Sequence, residues 1–148
     1  MDIEQDVIDA VERIIRGGVA ITARAVTGEI EDVTFAQWRV LTILGEREPP
    51  DSDVHVSGVG QRIGISAPSA SRLLRRLEDR GFIELRRDPA DRRFMRVRLT
   101  DAGRTIRMEV IERRRIVIRE ALGARDRALP PDLSQALDAI GDALLVRA

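Results

Sequence analysis

Arginine is the residue type in this sequence whose number and spacing could do chemistry. All 25 basic side chains are Arg, and Lys is absent. A guanidinium is a planar fork of donors that grips phosphate oxygens or the O6/N7 edge of guanine, and it stays charged at physiological pH. A GC-rich genome also favours Arg over Lys, so position is more informative than number. The chain is formally neutral, yet its charge is segregated. Residues 1–56 carry 5 Arg against 12 acids, residues 57–100 carry 11 against 5, and residues 101–148 carry 9 against 8. The stretch RRDPADRRFMRVRLT, residues 86–100, alone holds six Arg. Such a local excess is the footprint expected of a face that meets a polyanion. A solvated charged surface is the plain alternative, and charge alone leaves the two near even.

Other chemistries are poorly supplied. Without Cys there is no disulfide, thiolate metal site, thiol nucleophile or thiol switch. The single His, His55, stands between Val54 and Val56 and reads as a strand residue rather than a base. No metal site and no cofactor is expected. There is no G-x-S-x-G, phosphate-binding loop or dinucleotide fingerprint. The carboxylates sit at salt-bridge spacing on helix faces, as Glu109 does four residues before Arg113. No catalytic residue is assigned, and an enzyme is not expected. No apolar run approaches the ~18 residues of a membrane span. The amphipathic, acidic start MDIEQDVIDA is unlike a signal peptide. These features predict a cytoplasmic protein without membrane contact.

The elements that position the arginines are mostly helical. The composition is 43% apolar, and its only aromatics are Phe35, Trp38, Phe82 and Phe94, so the core must be Leu, Ile, Val and Ala. Residues 2–24 repeat Ile3, Val7, Ala10, Val11, Ile14 and Ile15 at helical spacing, with Gly17-Gly18 as a weak point. Residues 34–45 follow a capping box, Thr34 with Gln37, and place Phe35, Trp38, Leu41 and Leu44 in a buried stripe. EREPPDSD, 46–53, reads as an acidic loop, and VHV, 54–56, as at most a very short strand.

SGVGQRIGIS, 57–66, reads as a short helix, with Ser57 as its expected N-cap, and a tight turn at Gly64, ahead of a second helix over 67–81. Ser66 can cap this second helix, Pro68 suits its first turn and Gly81 ends it. Its apolar Ala70, Leu73, Leu74 and Leu77 face one way, leaving Ser69, Ser71, Arg72, Arg75 and Arg76 largely on other faces. FIELRR, DPAD and FMRVRL then read as strand, turn, strand. A long helix capped by Thr100 runs to Gly123, and a last helix over 130–147 opens with Asp132 and Gln135.

Helix, turn, helix and basic hairpin in that order predict a winged helix-turn-helix. The fold class is mainly α with a small β-hairpin (α+β). The second helix can enter a major groove and offer Ser66, Pro68, Ser69, Ser71, Arg72, Arg75 and Arg76, while the hairpin brings Asp91, Arg92 and Arg93 to a backbone or a narrow minor groove. The expected partner is double-stranded DNA. The competing reading is a winged helix used only for protein contact or dimerisation, which would want an apolar recognition surface; the arginines argue against it.

The segment IGISAPSASRLLRRLEDRGFIELRRDPADRRFMRVRLTDAG resembles the MarR family of bacterial transcription regulators. The likeness lies in P-S-x-S-R at 68–72, L-E-x-x-G-x-I at 77–83, D-x-x-D-R-R at 88–93, V-x-L-T-x-x-G at 97–103, and the upstream F-x-Q-W-x-V-L at 35–41. It implies one domain over 1–148: a DNA-binding lobe at 34–100, flanked by dimerisation helices at 1–33 and 101–148. It further implies an intertwined homodimer on a pseudo-palindromic operator. Ser69, Ser71 and Arg72 would face the major groove, and Asp91 would orient Arg93 toward the minor groove. The expected function is a sequence-specific DNA-binding transcriptional regulator, a repressor released by a small aromatic or anionic ligand. Arg24, Trp38 and Arg39 are the candidates to line a ligand pocket; Trp38 as plain core and the arginines as surface is the stronger alternative. The sequence departs from the family at Gly58 and Gly60, which should weaken the supporting helix by about 1 kcal/mol each relative to Ala, and in the length of EREPPDSD.

Overall fold

A computed structural model of the chain describes residues 3–27, 33–46, 54–125 and 128–147. The element order is α1 (Ile3–Val26), α2 (Phe35–Gly45), β1 (Val54–His55), α3 (Val56–Ile63), α4 (Ala67–Asp79), β2 (Ile83–Arg87), β3 (Met95–Leu99), α5 (Asp101–Gly123) and α6 (Leu133–Arg147). The chain divides into two compact units, Met1–Val117 and Ile118–Ala148. None of the described helices is long and apolar enough to cross a membrane.

The first unit holds the core. Val40, Leu41 and Leu44 of α2 meet Val59 and Ile63 of α3, Leu74 and Leu77 of α4, Ile83 of β2, Val97 and Leu99 of β3, and Ile106 and Val110 of α5. The sheet is antiparallel in the order β1-β3-β2, with Ile83 opposite Leu99, Leu85 opposite Val97, and Val54 also opposite Val97. Val54 and His55 thus supply a third strand to the hairpin.

Local capping follows the sequence expectation at several ends. The Thr34 capping box forms, with Gln37 N donating to Thr34 Oγ1 at 3.2 Å and Thr34 N to Gln37 Oε1 at 2.9 Å. Gly103 N donates to Thr100 Oγ1 at 3.1 Å, which caps α5. Gly64 (φ 71°) and Gly81 (φ 76°) take the left-handed conformation that only glycine adopts without strain. Gly17 and Gly18 do not interrupt α1.

Three expectations need correction. The N-cap of α3 is His55, not Ser57, because β1 runs directly into the helix and Val56 is already helical. Phe35 is 41% exposed rather than part of the buried stripe; it is the first residue of α2, ahead of the turns that pack on the core. Gly60 is not simply a weak point. It is buried against α4, where a Cβ would lie 3.0 Å from that of Ala70, so its missing side chain lets α3 and α4 approach. The EREPPDSD loop beyond Glu46 lies outside the described residues.

In the second unit α6 begins at Leu133, directly after Asp132. Its Leu133 and Ile140 are half-buried, but Leu137 and Leu144 are exposed.

Candidate nucleic-acid interface

Helix α4 is held by one face and presents the other. Ala70, Leu74 and Leu77 are buried, and Leu73 is half-buried. Ser66 caps the helix by accepting from Ser69 N at 3.4 Å, and its hydroxyl also donates to Ser69 Oγ at 3.0 Å. Pro68 sits in the first turn, where its missing N–H leaves no bond unmade. Pro68, Arg72, Arg75 and Arg76 are exposed, and Ser69 and Ser71 half-buried. At helical spacing Ser69, Arg72 and Arg76 form one surface row. Arg72 Nη2 reaches Ser69 Oγ only at 3.5 Å, which leaves its fork available.

The end of α4 is tied to the hairpin. Leu85 N donates to Glu78 Oε1 at 3.0 Å, so a carboxylate on α4 holds β2. Phe82 N donates to Leu77 O at 3.0 Å, and Thr100 N to Phe82 O at 3.1 Å. A Cβ on Gly103 would overlap the Phe82 carbonyl, so glycine is required where α5 starts against this backbone. The spatial relation of recognition helix and wing therefore rests on the Glu78 carboxylate and on main-chain contacts around Phe82.

Three carboxylates organise the wing. Glu84 accepts from Arg86 Nε at 2.7 Å and Arg98 Nε at 2.9 Å. Asp88, 3% exposed, accepts from Ala90 N at 2.7 Å, Asp91 N at 3.4 Å and Arg96 Nε at 2.6 Å, with His55 Nε2 at 3.5 Å. It ties the turn to β3 and β1 together. His55 also meets Phe94 edge-on, with ring centroids 5.7 Å apart. Asp91 accepts from Arg93 Nε at 3.0 Å, from Arg93 Nη2 at 2.7 Å and from the Arg93 backbone N at 3.0 Å. The Arg93 side chain is nevertheless 85% exposed.

Hydrogen bonds from Arg86 and then Arg98 lower the Glu84 pKa. The Arg96 bond, then that of Ala90 N, lowers the Asp88 pKa. The Arg93 side chain, then its backbone N, lowers the Asp91 pKa, and the same contact raises that of Arg93. Arg92 is exposed, and its carbonyl accepts from Arg87 Nη1 at 2.8 Å.

The sequence-derived candidates thus fall into two groups on one lobe: Ser66, Pro68, Ser69, Ser71, Arg72, Arg75 and Arg76 along α4, and Asp91, Arg92 and Arg93 at the wing. The three ligand-pocket candidates are placed differently. Trp38 is 4% exposed and belongs to the core. Arg39 Nη1 donates to Ile63 O at 3.1 Å, closing the end of α3. Arg24 is exposed on α1. Sequence reasoning missed Glu78, Glu84 and Asp88 as organisers. Only the D-x-x-D-R-R spacing hinted at Asp88, since its donors come from three separate segments.

A helix whose polar face is framed by serines and arginines, joined to an arginine-rich hairpin, defines a winged helix-turn-helix. Residues 31–93 match the MarR family model. It is 34% identical over 79 residues to the HTH-type transcriptional regulator MgrA of Staphylococcus aureus, covering 53% of this chain and 51% of that protein. The chain therefore spans about half the length of the curated relatives it matches. Among solved structures it is similar to RV1404 from Mycobacterium tuberculosis, with a TM-score of 0.79, 26% identity and coverage of 97% of this chain and 95% of the other. It shares the fold of Streptococcus pneumoniae FabT, solved in complex with DNA, with a TM-score of 0.67, 19% identity, and the same 97% and 95% coverage.

Proposed function

We propose that this chain is a sequence-specific, double-stranded-DNA-binding transcriptional regulator and not an enzyme. The observation that carries the reading is the exposed guanidinium row of α4, Arg72, Arg75 and Arg76, on the same lobe as Arg92 and Arg93 of the wing. The match of residues 31–93 to the MarR family model and the similarity to transcriptional regulators support it. In this reading α4 enters the major groove with Ser69, Ser71 and Arg72 toward base edges, while Ser66, Pro68, Arg75 and Arg76 lie against the backbone. The hairpin takes Arg93, held in its fork by Asp91, to the adjacent minor groove, with Arg92 beside it at the tip.

The active form is a homodimer in the cytoplasm, with residues 1–33 and 101–148 supplying its helices and 34–100 the DNA-binding lobe. Supporting this are large apolar side chains left to solvent on α1, with Ile3 78% and Ile14 58% exposed, and on α6, with Leu145 76% and Val146 88% exposed. Large apolar side chains left exposed along a helix are what an interaction face would cover. A two-fold dimer would meet a pseudo-palindrome with half-sites roughly 34 Å apart.

The finer reading is a repressor that a small aromatic or anionic ligand releases. Its support is the family. Trp38 in the core and Arg39 on the Ile63 carbonyl fit the plainer reading of those residues, and Arg24 is the candidate left exposed. Benzoate added to the protein–DNA complex tests release directly. The DNA-binding reading itself is tested by duplex titration at low and moderate salt. Affinity that falls steeply with salt is expected, because phosphate neutralisation releases counterions; absence of duplex binding at both salts would overturn it.

A further inference from the structure

The wing carries more guanidinium than its carboxylates neutralise. Residues 83–99 contain six Arg but only three acids, Glu84, Asp88 and Asp91. Glu84 pairs with Arg86 and Arg98, Asp88 with Arg96, and Asp91 with Arg93. These partners pull each acid's pKa down, so all three are ionised at neutral pH. Among the described residues that leaves Arg87 and Arg92 without a carboxylate.

The two are linked to each other. Arg87 Nη1 donates to Arg92 O at 2.8 Å. A carbonyl is a neutral acceptor, so this bond fixes the Arg87 side chain without compensating its charge. It also occupies one of five guanidinium donors, leaving the rest of the fork. Arg87 ends β2 and shares by alternation the face of Ile83 and Leu85, but it is exposed where they are covered. Arg92 is exposed at the tip.

We propose that Arg87 and Arg92 form a phosphate-directed pair of the wing, separate from the Asp91–Arg93 fork. The inference rests on the DNA-binding reading and divides its labour. The Arg87 and Arg92 charges are free to displace counterions from the DNA backbone. Arg93, already matched by Asp91, brings a held planar group to the groove with less net charge. Arg87 is in addition a positioning residue for the tip, through the Arg92 carbonyl.

The test is the salt dependence of binding by the full chain to two duplexes of unrelated sequence. Removing one phosphate contact should reduce the slope of log K against log salt by about 0.9. Arg92→Ala and Arg87→Gln are each expected to lower the slope by that amount and to weaken both duplexes equally. Arg87→Gln keeps an amide donor for the Arg92 carbonyl, so it separates charge from strut; Arg87→Lys keeps the charge and should keep the slope. An unchanged slope in either Arg92→Ala or Arg87→Gln overturns the pair while wild-type binding persists, which leaves the DNA-binding reading standing. A wild-type chain with no salt-dependent duplex binding overturns both.

Discussion

Replacing Gly60 and Gly58 separately by Ala should change stability in opposite directions, although both lie in α3. The two substitutions share the propensity gain of Gly→Ala, about 0.5–1 kcal/mol. They differ in what the new Cβ meets. At Gly58 nothing lies within 4 Å, so the gain is retained. At Gly60 the Cβ would stand 3.0 Å from the Ala70 Cβ, with Ile65 O at 3.6 Å. Carbon atoms rest at about 3.5–4.0 Å, so α3 and α4 must move apart by several tenths of an ångström. Overpacking of this kind costs about 1–3 kcal/mol. Net of propensity, Gly60→Ala should lose about 0–2.5 kcal/mol. A 1 kcal/mol change moves the melting temperature by about 2–4 °C in a chain of this size. Circular dichroism melts of both variants measure the difference. The same shift of α4 should weaken duplex binding by Gly60→Ala and not by Gly58→Ala. In an Ala70→Gly background the clash is gone, and Gly60→Ala should become stabilising. Equal stabilisation by both single substitutions, or an Ala70→Gly background without effect, would refute the packing argument.

Arg72→Ala should relax specificity at one position of each half-site by roughly 1–3 kcal/mol, whereas Arg93→Ala should weaken binding more evenly with some loss of preference for A·T-rich flanks; titrations against single-base operator variants separate them. Leu74, 1% exposed under the recognition helix, should cost about 2–5 kcal/mol as Leu74→Ala in urea unfolding. The lowered pKa values of Glu84, Asp88 and Asp91 mean that their folded forms favour the ionised state. Their stabilising contribution is therefore present above the unfolded carboxylate values and lost as pH falls through the lower folded ones. The Arg93 and Arg96 Nε–H resonances should report opening of the wing on acidification and none at neutral pH. A single species of twice the chain mass is expected in sedimentation at micromolar concentration, and a monomer would contradict the dimer.

What could be read in the sequence is what depends on near neighbours. Thr34 with Gln37, Ser66 ahead of Pro68, and the left-handed Gly64 and Gly81 involve contacts within a few residues. The alternation of Ile83, Leu85, Val97 and Leu99 sufficed to place the hairpin. The misreadings come from contacts between distant segments. Gly60 resembles a helix breaker until Ala70 is brought against it. Asp88 resembles an ordinary turn residue until Arg96 and His55 arrive from β3 and β1. Ser57 is a good cap by residue type, but pairing of Val54 and His55 with β3 sets where α3 starts. Phe35 fits the stripe by spacing, but its position at the helix start exposes it. The DNA-contact candidates follow from charge, order of elements and family motifs; the structure places them on one lobe and adds Glu78, Glu84 and Asp88, which hold the hairpin.

Selection of bound sequences from a random duplex pool by the full chain, wild type beside Arg72→Ala, tests the central claim most directly. A pseudo-palindrome with half-sites roughly one helical turn apart should be enriched, with one preferred position per half-site lost in the variant. A pool that emerges unenriched would contradict it, and so would the same enriched sequence with the same preferences from both proteins.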